Sequence, residues 1–284
     1  LHAMNDSLLE KIWRTSPDSL LRSVRRRFGV ESARAPVRPT WVRVNAGPLA
    51  GRELLLATEL GGAWAEMRDG TYDRELFDRL VVAVPLAGAT VWDIGAHFGY
   101  HTLSFAALAG AAGRVVAFEP NPFNRERLAL NLERNSDLAS RVAVVPQAVS
   151  NADGEAEFVF SADIDSGDSS CSHLGAALPP RPAEAYAEFR RERVPTVRID
   201  TLLTQRAGEI PRVLKIDVEG AEFMVLNGAQ ETLRRFHPKV VMEIIPKQLE
   251  AMHTSKEAVF AFMKEQGYGD GKPIDDEDWE WVAR

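Results

Sequence analysis

The chain has one cysteine, no long apolar run and no excess of positive charge, and each absence excludes a class of protein. Cys171 has no second cysteine to pair with, so a disulfide scaffold is excluded and a reducing, cytoplasmic setting is expected. No apolar run approaches the roughly 18–20 residues of a membrane span, and no signal peptide is expected. The net charge of −7 argues against non-specific binding to nucleic acid.

The order of predicted elements indicates two parts. Residues 1–40 are predicted to hold two short helices within 7–28 and a proline-containing linker, with residues 1–3 a cloning remnant before Met4. These helices are expected to pack on the main domain or to form a homodimer, and their arginine-rich side leaves a role at a membrane surface or towards an anionic substrate open. Residues 41–284 are predicted to form one α/β domain.

Apolar strands alternate with helices through the second part. After a hairpin over 41–58, the pattern predicts strands near 90–94, 115–118, 141–145, 194–199, 212–216, 239–244 and 279–282, with one helix over 220–235. This alternation predicts a doubly wound, mostly parallel sheet. Residues 161–190 are predicted to form a lid over the acceptor, because 161–170 have almost no apolar side chain to bury.

A glycine turn between two of these strands carries the main functional signal. Asp93, Gly95 and Gly99 follow the pattern Asp-x-Gly-x-x-x-Gly, and Glu119 ends the next strand, where an acid can accept hydrogen bonds from ribose hydroxyls. The third glycine of a pyrophosphate-binding loop is missing, which favours S-adenosylmethionine over a dinucleotide. A methyltransferase is therefore predicted, and an NAD-dependent dehydrogenase is the alternative.

A second group of polar residues follows the other strand ends. Asp217, Glu219 and Glu222 lie where strand 212–216 meets its helix, at the edge of the sheet where open α/β folds bind ligands. Glu222 also fits plain stabilisation of a helix N-terminus. Gln147 or Ala148, after strand 141–145, is expected to contact the adenine.

These motifs together resemble the FkbM family of class I methyltransferases. The resemblance covers roughly residues 90–245, with Asp73 replacing the glutamate of an upstream Gly-x-Tyr-Glu and His97 replacing asparagine. It implies a Rossmann-like fold, S-adenosylmethionine, and methylation of an oxygen on a sugar, polyketide or peptide natural product. The expected cofactor-binding residues are Tyr72, Asp93, Gly95, Ala96, His97, Gly99, Tyr100, His101, Glu119, Pro120, Asn121, Gln147, Ala148 and Asp217.

Fewer residues are candidates for proton transfer than for cofactor binding. Asp217 or Glu219 is the candidate base for an alcohol acceptor, and His173 in the predicted lid could swing over the substrate. No metal site is predicted, although Asp217 with Glu219 or Asp200 leaves a hard divalent ion open. A small-molecule or peptide acceptor is the expected partner. The alternative from another class is a non-catalytic scaffold that binds the cofactor and holds a partner through the N-terminal helices.

Overall fold

The computed structural model describes residues 38–161, 172–174, 189–206 and 208–284. All of them belong to one compact unit, Arg38–Arg284. The predicted N-terminal helices within 7–28, the homodimer surface that they would form, and Cys171 lie outside the described residues. Most of the predicted lid over 161–190 lies outside them as well.

The strands form three sheets. In chain order they are β1 (Thr40–Arg43), β2 (Glu53–Leu56), β3 (Thr90–Ile94), β4 (Arg114–Phe118), β5 (Val142–Val145), β6 (Ala148–Val149), β7 (Gly154–Ser161), β8 (His173–Leu174), β9 (Phe189–Val197), β10 (Val213–Ile216), β11 (Lys239–Glu243), β12 (Lys272–Pro273) and β13 (Asp278–Trp281). β1 and β2 pair antiparallel, which confirms the predicted hairpin.

The helices alternate with the strands. They are α1 (Ala63–Asp69), α2 (Arg74–Ala83), α3 (Tyr100–Ala109), α4 (Pro122–Arg134), α5 (Ser136–Ala139), α6 (Ile199–Gln205), α7 (Glu222–Asn227), α8 (Gln230–Phe236), α9 (Pro246–Ala251) and α10 (Lys256–Glu265). Two single 3₁₀ turns, Gly47–Leu49 and Thr58–Leu60, flank β2.

The central sheet has seven strands in the order β12-β13-β11-β10-β3-β4-β5. The five strands from β11 to β5 are parallel, and β13 adds antiparallel to β11. Every residue of β10 is buried, as expected for a strand covered on both faces. The predicted α/β fold with a mostly parallel sheet is confirmed. Its parallel strands all end at one edge, which places their following loops together.

The prediction of a central-sheet strand over 194–199 was wrong in two respects, because the strand ends earlier and belongs to a different sheet. β9 stops at Val197, and Ile199 already begins α6. β9 pairs antiparallel with β7 in a separate four-stranded sheet of order β6-β9-β7-β8. The segment predicted as a lid therefore connects two neighbouring strands of this second sheet rather than two strands of the central sheet.

The single helix predicted over 220–235 is two helices, α7 and α8. They are separated at Gly228, where an added Cβ would lie 2.1 Å from the carbonyl oxygen of Ser150. The backbone of this break thus packs directly on the loop after β6. The sequence analysis also missed α1, which buries Trp64 and Met67 and stacks Trp64 on Phe98 with ring centroids 5.0 Å apart.

Candidate active site

The cavity at the carboxyl edge of the parallel strands has a volume of about 390 Å³. It lies where sheets of this type bind ligands, because the loops after neighbouring strands diverge there. The lining comes from the loops after β3, β4, β5, β10 and β11, together with the second sheet and the segment before α2. Its polar members are Tyr72, His97, Tyr100, His101, Glu119, Asn124, Gln147, Ser172, Asp217, Glu219, Glu243, Gln248 and Glu277.

Glu119 follows β4 and is only 4% exposed. Its Oε2 accepts a hydrogen bond of 2.7 Å from the His97 backbone N–H, and its Oε1 accepts one of 2.8 Å from the Asn121 backbone N–H. Burial raises the pKa of Glu119 to about 7, although these backbone donors oppose the shift. The Asn124 side chain also hydrogen-bonds to Glu119, so at least one of the four carboxylate lone pairs remains for a ligand in the cavity.

The glycine turn packs against its own chain. Gly95 has φ +90°, and an added Cβ would lie 1.8 Å from the Asp217 carbonyl oxygen; at Gly99, with φ +96°, it would lie 2.3 Å from Leu128 Cδ1. These glycines therefore allow the loops after β3 and β10 to meet and helix α3 to approach α4. Gly95 and Ala96 line the cavity, whereas Gly99 does not.

Asp93 and Asn121 support the site from behind. Asp93 is fully buried, and its Oδ2 accepts a hydrogen bond of 2.5 Å from Thr102 Oγ1, which ties the end of β3 to α3. Asn121 caps α4 by accepting from the Phe123 backbone N–H at 3.0 Å. Neither side chain is among the cavity-lining residues, whereas the predicted cofactor residue Pro120 is.

The β5 side of the cavity is mostly apolar. Gln147 and Ala148 line it, as the sequence analysis expected for the adenine-contacting position. The second sheet contributes Phe158 and Leu174 to the same wall, and both are buried. This slot can hold a flat apolar ring, with the Gln147 amide available at its edge.

An aromatic group closes the cavity near α3. Tyr72 lies edge-on to Tyr100, with ring centroids 5.5 Å apart, and burial raises the pKa of Tyr72 well above its usual range. His101 Nε2 lies 2.7 Å from Asp73 Oδ2. The predicted residues Tyr72, Tyr100 and His101 therefore meet at one wall, with Asp73 orienting the imidazole.

The β10 and β11 side is acidic. Lys215 Nζ lies 2.6 Å from Asp217 Oδ2. Burial alone would raise the pKa of Asp217, but the Lys215 ammonium outweighs it and holds the pKa below its ordinary value. Glu219 accepts a short hydrogen bond from Gln248 Nε2. Carboxylate oxygens of Asp217, Glu219 and Glu243 all lie within 4.8 Å of one another.

The metal alternative with Asp200 was wrong, because Asp200 serves a different part of the fold. Its carboxylate accepts hydrogen bonds from the backbone N–H groups of Glu231 and Thr232 at the start of α8. The pair Asp217 and Glu219 does come together, and the third nearby carboxyl is Glu243. Glu222 instead accepts from the backbone N–H groups of Val218 and Gly220, the structural role that the sequence analysis allowed.

The two candidate histidines differ in position. His97 lines the cavity, and burial lowers its pKa to about 4, against the opposing charge of Asp217. His173 is buried in β8 and does not line the cavity, whereas its neighbours Ser172 and Leu174 do. The structure thus brings His97 to the site and turns His173 away from it.

Backbone strain also marks the site. Two cavity-lining residues have left-handed backbone conformations: His97, with φ 50°, and Glu219, with φ 55°. Asp73, which follows the lining residue Tyr72 in the chain, has φ 49°. Non-glycine residues rarely adopt this conformation, and such strain is concentrated at functional sites.

The sequence analysis missed several lining residues that come from the last third of the chain. Glu243 ends β11, so the rule that ligands bind at strand ends could have found it. Gln248 on α9 and Glu277 before β13 had no such signal, because their approach depends on how the antiparallel β13 pairs with β11. Within the described part of the chain, no helix has the length and apolar character that crossing a membrane requires.

The family model described as "Methyltransferase FkbM domain" matches residues 93–269. Hexuronic acid methyltransferase AglP of Haloferax volcanii is 29% identical over 156 residues, which cover 54% of this chain and 55% of AglP. The chain thus spans about half the length of that curated relative.

Two solved structures are similar at low identity. Methyltransferase FkbM from Methylobacillus flagellatus KT is 17% identical with a TM-score of 0.47, covering 72% of this chain and 45% of that one. Aeropyrum pernix fibrillarin with bound S-adenosyl-L-methionine is 13% identical with a TM-score of 0.41, covering 74% of this chain and 73% of that one.

Proposed function

The chain belongs to the FkbM methyltransferase family, and from this premise we propose that it is an S-adenosylmethionine-dependent O-methyltransferase acting on a small-molecule, sugar or peptide natural product. The observation that carries the proposal is the buried Glu119 carboxylate, which two backbone N–H groups hold at the mouth of the strand-end cavity. Family membership excludes the dehydrogenase alternative and supports the predicted cofactor.

The lining residues fit S-adenosylmethionine. Glu119 would accept from the ribose hydroxyls through its remaining capacity as an acceptor. The adenine would lie in the slot formed by Ala148, Phe158 and Leu174, with Gln147 at its polar edge. The loop at Gly95 and Ala96, with Tyr72 and His101, would enclose the methionine part.

The bound cofactor supplies an activated methyl group, so the chain itself has to orient the acceptor oxygen and exclude water. The cavity at the ends of β10 and β11, bordered also by Met67, Tyr72 and Tyr100, is where both would take place. Orientation of two reactants in this way contributes up to about 7–11 kcal/mol to lowering a barrier. Asp217 and Glu219 follow β10, and Glu243 ends the adjacent parallel strand β11, so the three carboxyl groups meet beside the cavity.

A hydroxyl acceptor also has to lose its proton, and Glu219 is the proposed base. Asp217 is the weaker candidate, because Lys215 holds its pKa low and its carboxylate is already paired. Asp217 is better suited to positioning. His97 is neutral at pH 7 but is a poor base, given its pKa of about 4. His173, the third candidate, would need β8 to turn over before it reached the cavity.

The relative AglP is named as a hexuronic acid methyltransferase, which supports a sugar-like acceptor for this chain. The match covers about half of each protein, so the acceptor is inferred here from the class of chemistry alone. A hydroxyl-rich acceptor suits the many polar side chains that line the cavity.

The experiment is to incubate the protein with S-adenosylmethionine carrying an isotope-labelled methyl group and a panel of sugars, polyketides and peptides. Formation of S-adenosylhomocysteine together with a label whose NMR chemical shift reports attachment to oxygen supports the proposal. Label on nitrogen or carbon refutes O-methylation. Tight cofactor binding, with transfer to every acceptor no faster than in the Glu219→Gln variant, favours the non-catalytic scaffold.

A further inference from the structure

The chemistry of the cavity wall changes across the sheet. The β5 side is apolar and suits the adenine, and Glu119 at the end of β4 suits the ribose. Beyond the loop after β3, the wall formed after β10, β11 and before β13 contains four carboxyl groups. We call it the acidic wall, and it consists of Asp217, Glu219, Glu243 and Glu277. With the cofactor placed from β5 to β3, the acceptor lies against the acidic wall.

Positive charge is scarce around this wall. Within residues 38–161, 172–174, 189–206 and 208–284, no lysine or arginine lines the cavity. The ammonium group of Lys215 lies beside this wall, but its side chain is 3% exposed and already lies 2.6 Å from Asp217 Oδ2. The wall therefore presents a net negative field to whatever occupies the acceptor side.

Glu243 shows the strength of this field. It lies within 4.8 Å of carboxylate oxygens of Asp217 and Glu219. Burial, with the added charges of those two acids, raises the pKa of Glu243 to about 11. At neutral pH this carboxyl therefore holds its proton in the free protein, and it ionises when a cation binds beside it. Its Oε2 is buried and has no hydrogen-bond partner in the protein. Buried polar atoms are nearly always hydrogen-bonded, so this oxygen is suited to a donor that a ligand brings.

We propose that the acceptor carries a protonated amine beside the hydroxyl to be methylated, as an amino sugar or aminocyclitol does, and that Glu243 binds this ammonium. The proposal rests on the methyltransferase function proposed above and narrows its substrate class. An ammonium has three donors to offer to the converging carboxyl groups. A uronic acid would instead place its carboxylate against like charges, and the described lining residues include no arginine or lysine to receive it.

Three sugars with one ring shape test the proposal: glucosamine, glucose and glucuronate. Each is titrated by calorimetry into protein loaded with S-adenosylhomocysteine, in EDTA so that no divalent ion neutralises the acids. Glucosamine is expected to bind at least about tenfold more tightly than glucose, since hydrogen bonds between charged groups exceed neutral ones by about that factor. Glucuronate is expected to bind most weakly.

Matched variants assign the preference to the acidic wall. Glu243→Gln is expected to remove most of the preference of glucosamine over glucose. Glu250→Gln makes the same change at an exposed position of α9 outside the cavity, and it is expected to keep the preference. If Glu243→Gln fails to fold, Glu277→Gln provides a second test, because it removes a charge from the acidic wall at an exposed position. It is expected to reduce the preference of glucosamine over glucose.

Two results overturn the proposal. One is glucosamine binding no better than glucose, including no measurable binding of either. The other is a Glu243→Gln variant that keeps the sugar preference but loses affinity for S-adenosylmethionine relative to S-adenosylhomocysteine. That result would mean that the acidic wall binds the positive sulfonium of the cofactor and not an ammonium of the acceptor. Failure of S-adenosylhomocysteine itself to bind is visible before any sugar is added, and it counts against the proposed function.

Discussion

Glu119→Gln is the substitution that most sharply probes the cofactor site. Glutamine keeps the shape of the side chain and one acceptor oxygen, but it removes the charge. It also places an amide NH₂ opposite one of the two backbone N–H groups from which Glu119 accepts hydrogen bonds. Alanine would remove the link between the loops after β3 and β4 altogether, so the effect on folding would obscure the effect on binding.

The expected loss of affinity follows from the hydrogen bonds involved. Hydrogen bonds to a charged group contribute about 1.5–3 kcal/mol each, against about 0.5–1.5 kcal/mol for neutral ones. Glutamine keeps one acceptor for the ribose and loses the charge on both bonds. The net loss is at least about 1.5 kcal/mol, which corresponds to a dissociation constant raised at least about tenfold.

Isothermal titration calorimetry of S-adenosylmethionine measures this directly, with S-adenosylhomocysteine as a second ligand that shares the ribose. Both ligands are expected to weaken by the same factor, because the substitution acts on the ribose and not on the sulfur. Glu126→Gln, at an exposed position on α4, is the matched control and is expected to bind both ligands as the wild type does.

A folded Glu119→Gln protein with unchanged affinity for both ligands would refute the assignment of the ribose to Glu119. Weakening of one ligand alone would place Glu119 near the sulfur instead. The thermal unfolding curve of each variant shows whether the comparison is between folded proteins.

Three further predictions concern other parts of the site. Because the pKa of Glu119 is raised to about 7 and the ribose hydroxyls bind its ionised form, cofactor affinity should be constant above about pH 7 and fall up to tenfold per pH unit below it. Titrations of the cofactor into wild type and Glu119→Gln across this pH range check this dependence, and equal pH profiles of the two proteins would contradict it. Glu219→Gln should lower turnover by about 10²–10⁴-fold at unchanged cofactor affinity, and a loss confined to binding would make Glu219 a cofactor residue. Gly95→Ala should destabilise the fold by about 3 kcal/mol or more, because its Cβ would lie 1.8 Å from the Asp217 carbonyl oxygen; Gly110→Ala, with nothing within 4 Å, should cost only about 1–2 kcal/mol, and equal denaturant midpoints would contradict the packing argument.

The sequence predicts those parts of the fold that local patterns determine. The strands of the central sheet follow from short apolar runs, and their parallel order follows from the alternation with helices. The break between α7 and α8 could not be predicted, because it depends on the close approach of Gly228 to Ser150. The second sheet was missed for a similar reason: the pairing of β9 with β7 depends on which strands meet in space and not on the local pattern of β9.

The same limit applies to the site. Glu119, Gln147 and Asp217 could be located because they directly follow strands whose ends meet at one edge. Asp93 has the motif signature of a cofactor ligand, yet its carboxylate is directed at Thr102 behind the turn. The pairing of Lys215 with Asp217 is an i, i+2 relation at a strand end, and its effect on pKa depends on burial that the sequence does not show.

The measurement that tests the account most directly is a crystal structure of the protein with bound S-adenosylhomocysteine. The account predicts the ribose hydroxyls on the Glu119 carboxylate, the adenine against Ala148 and Leu174, and the methionine part beside Gly95 and Ala96. The acidic wall is then left to the acceptor. A cofactor bound with its adenine against the acidic wall, or bound outside this cavity, would contradict it.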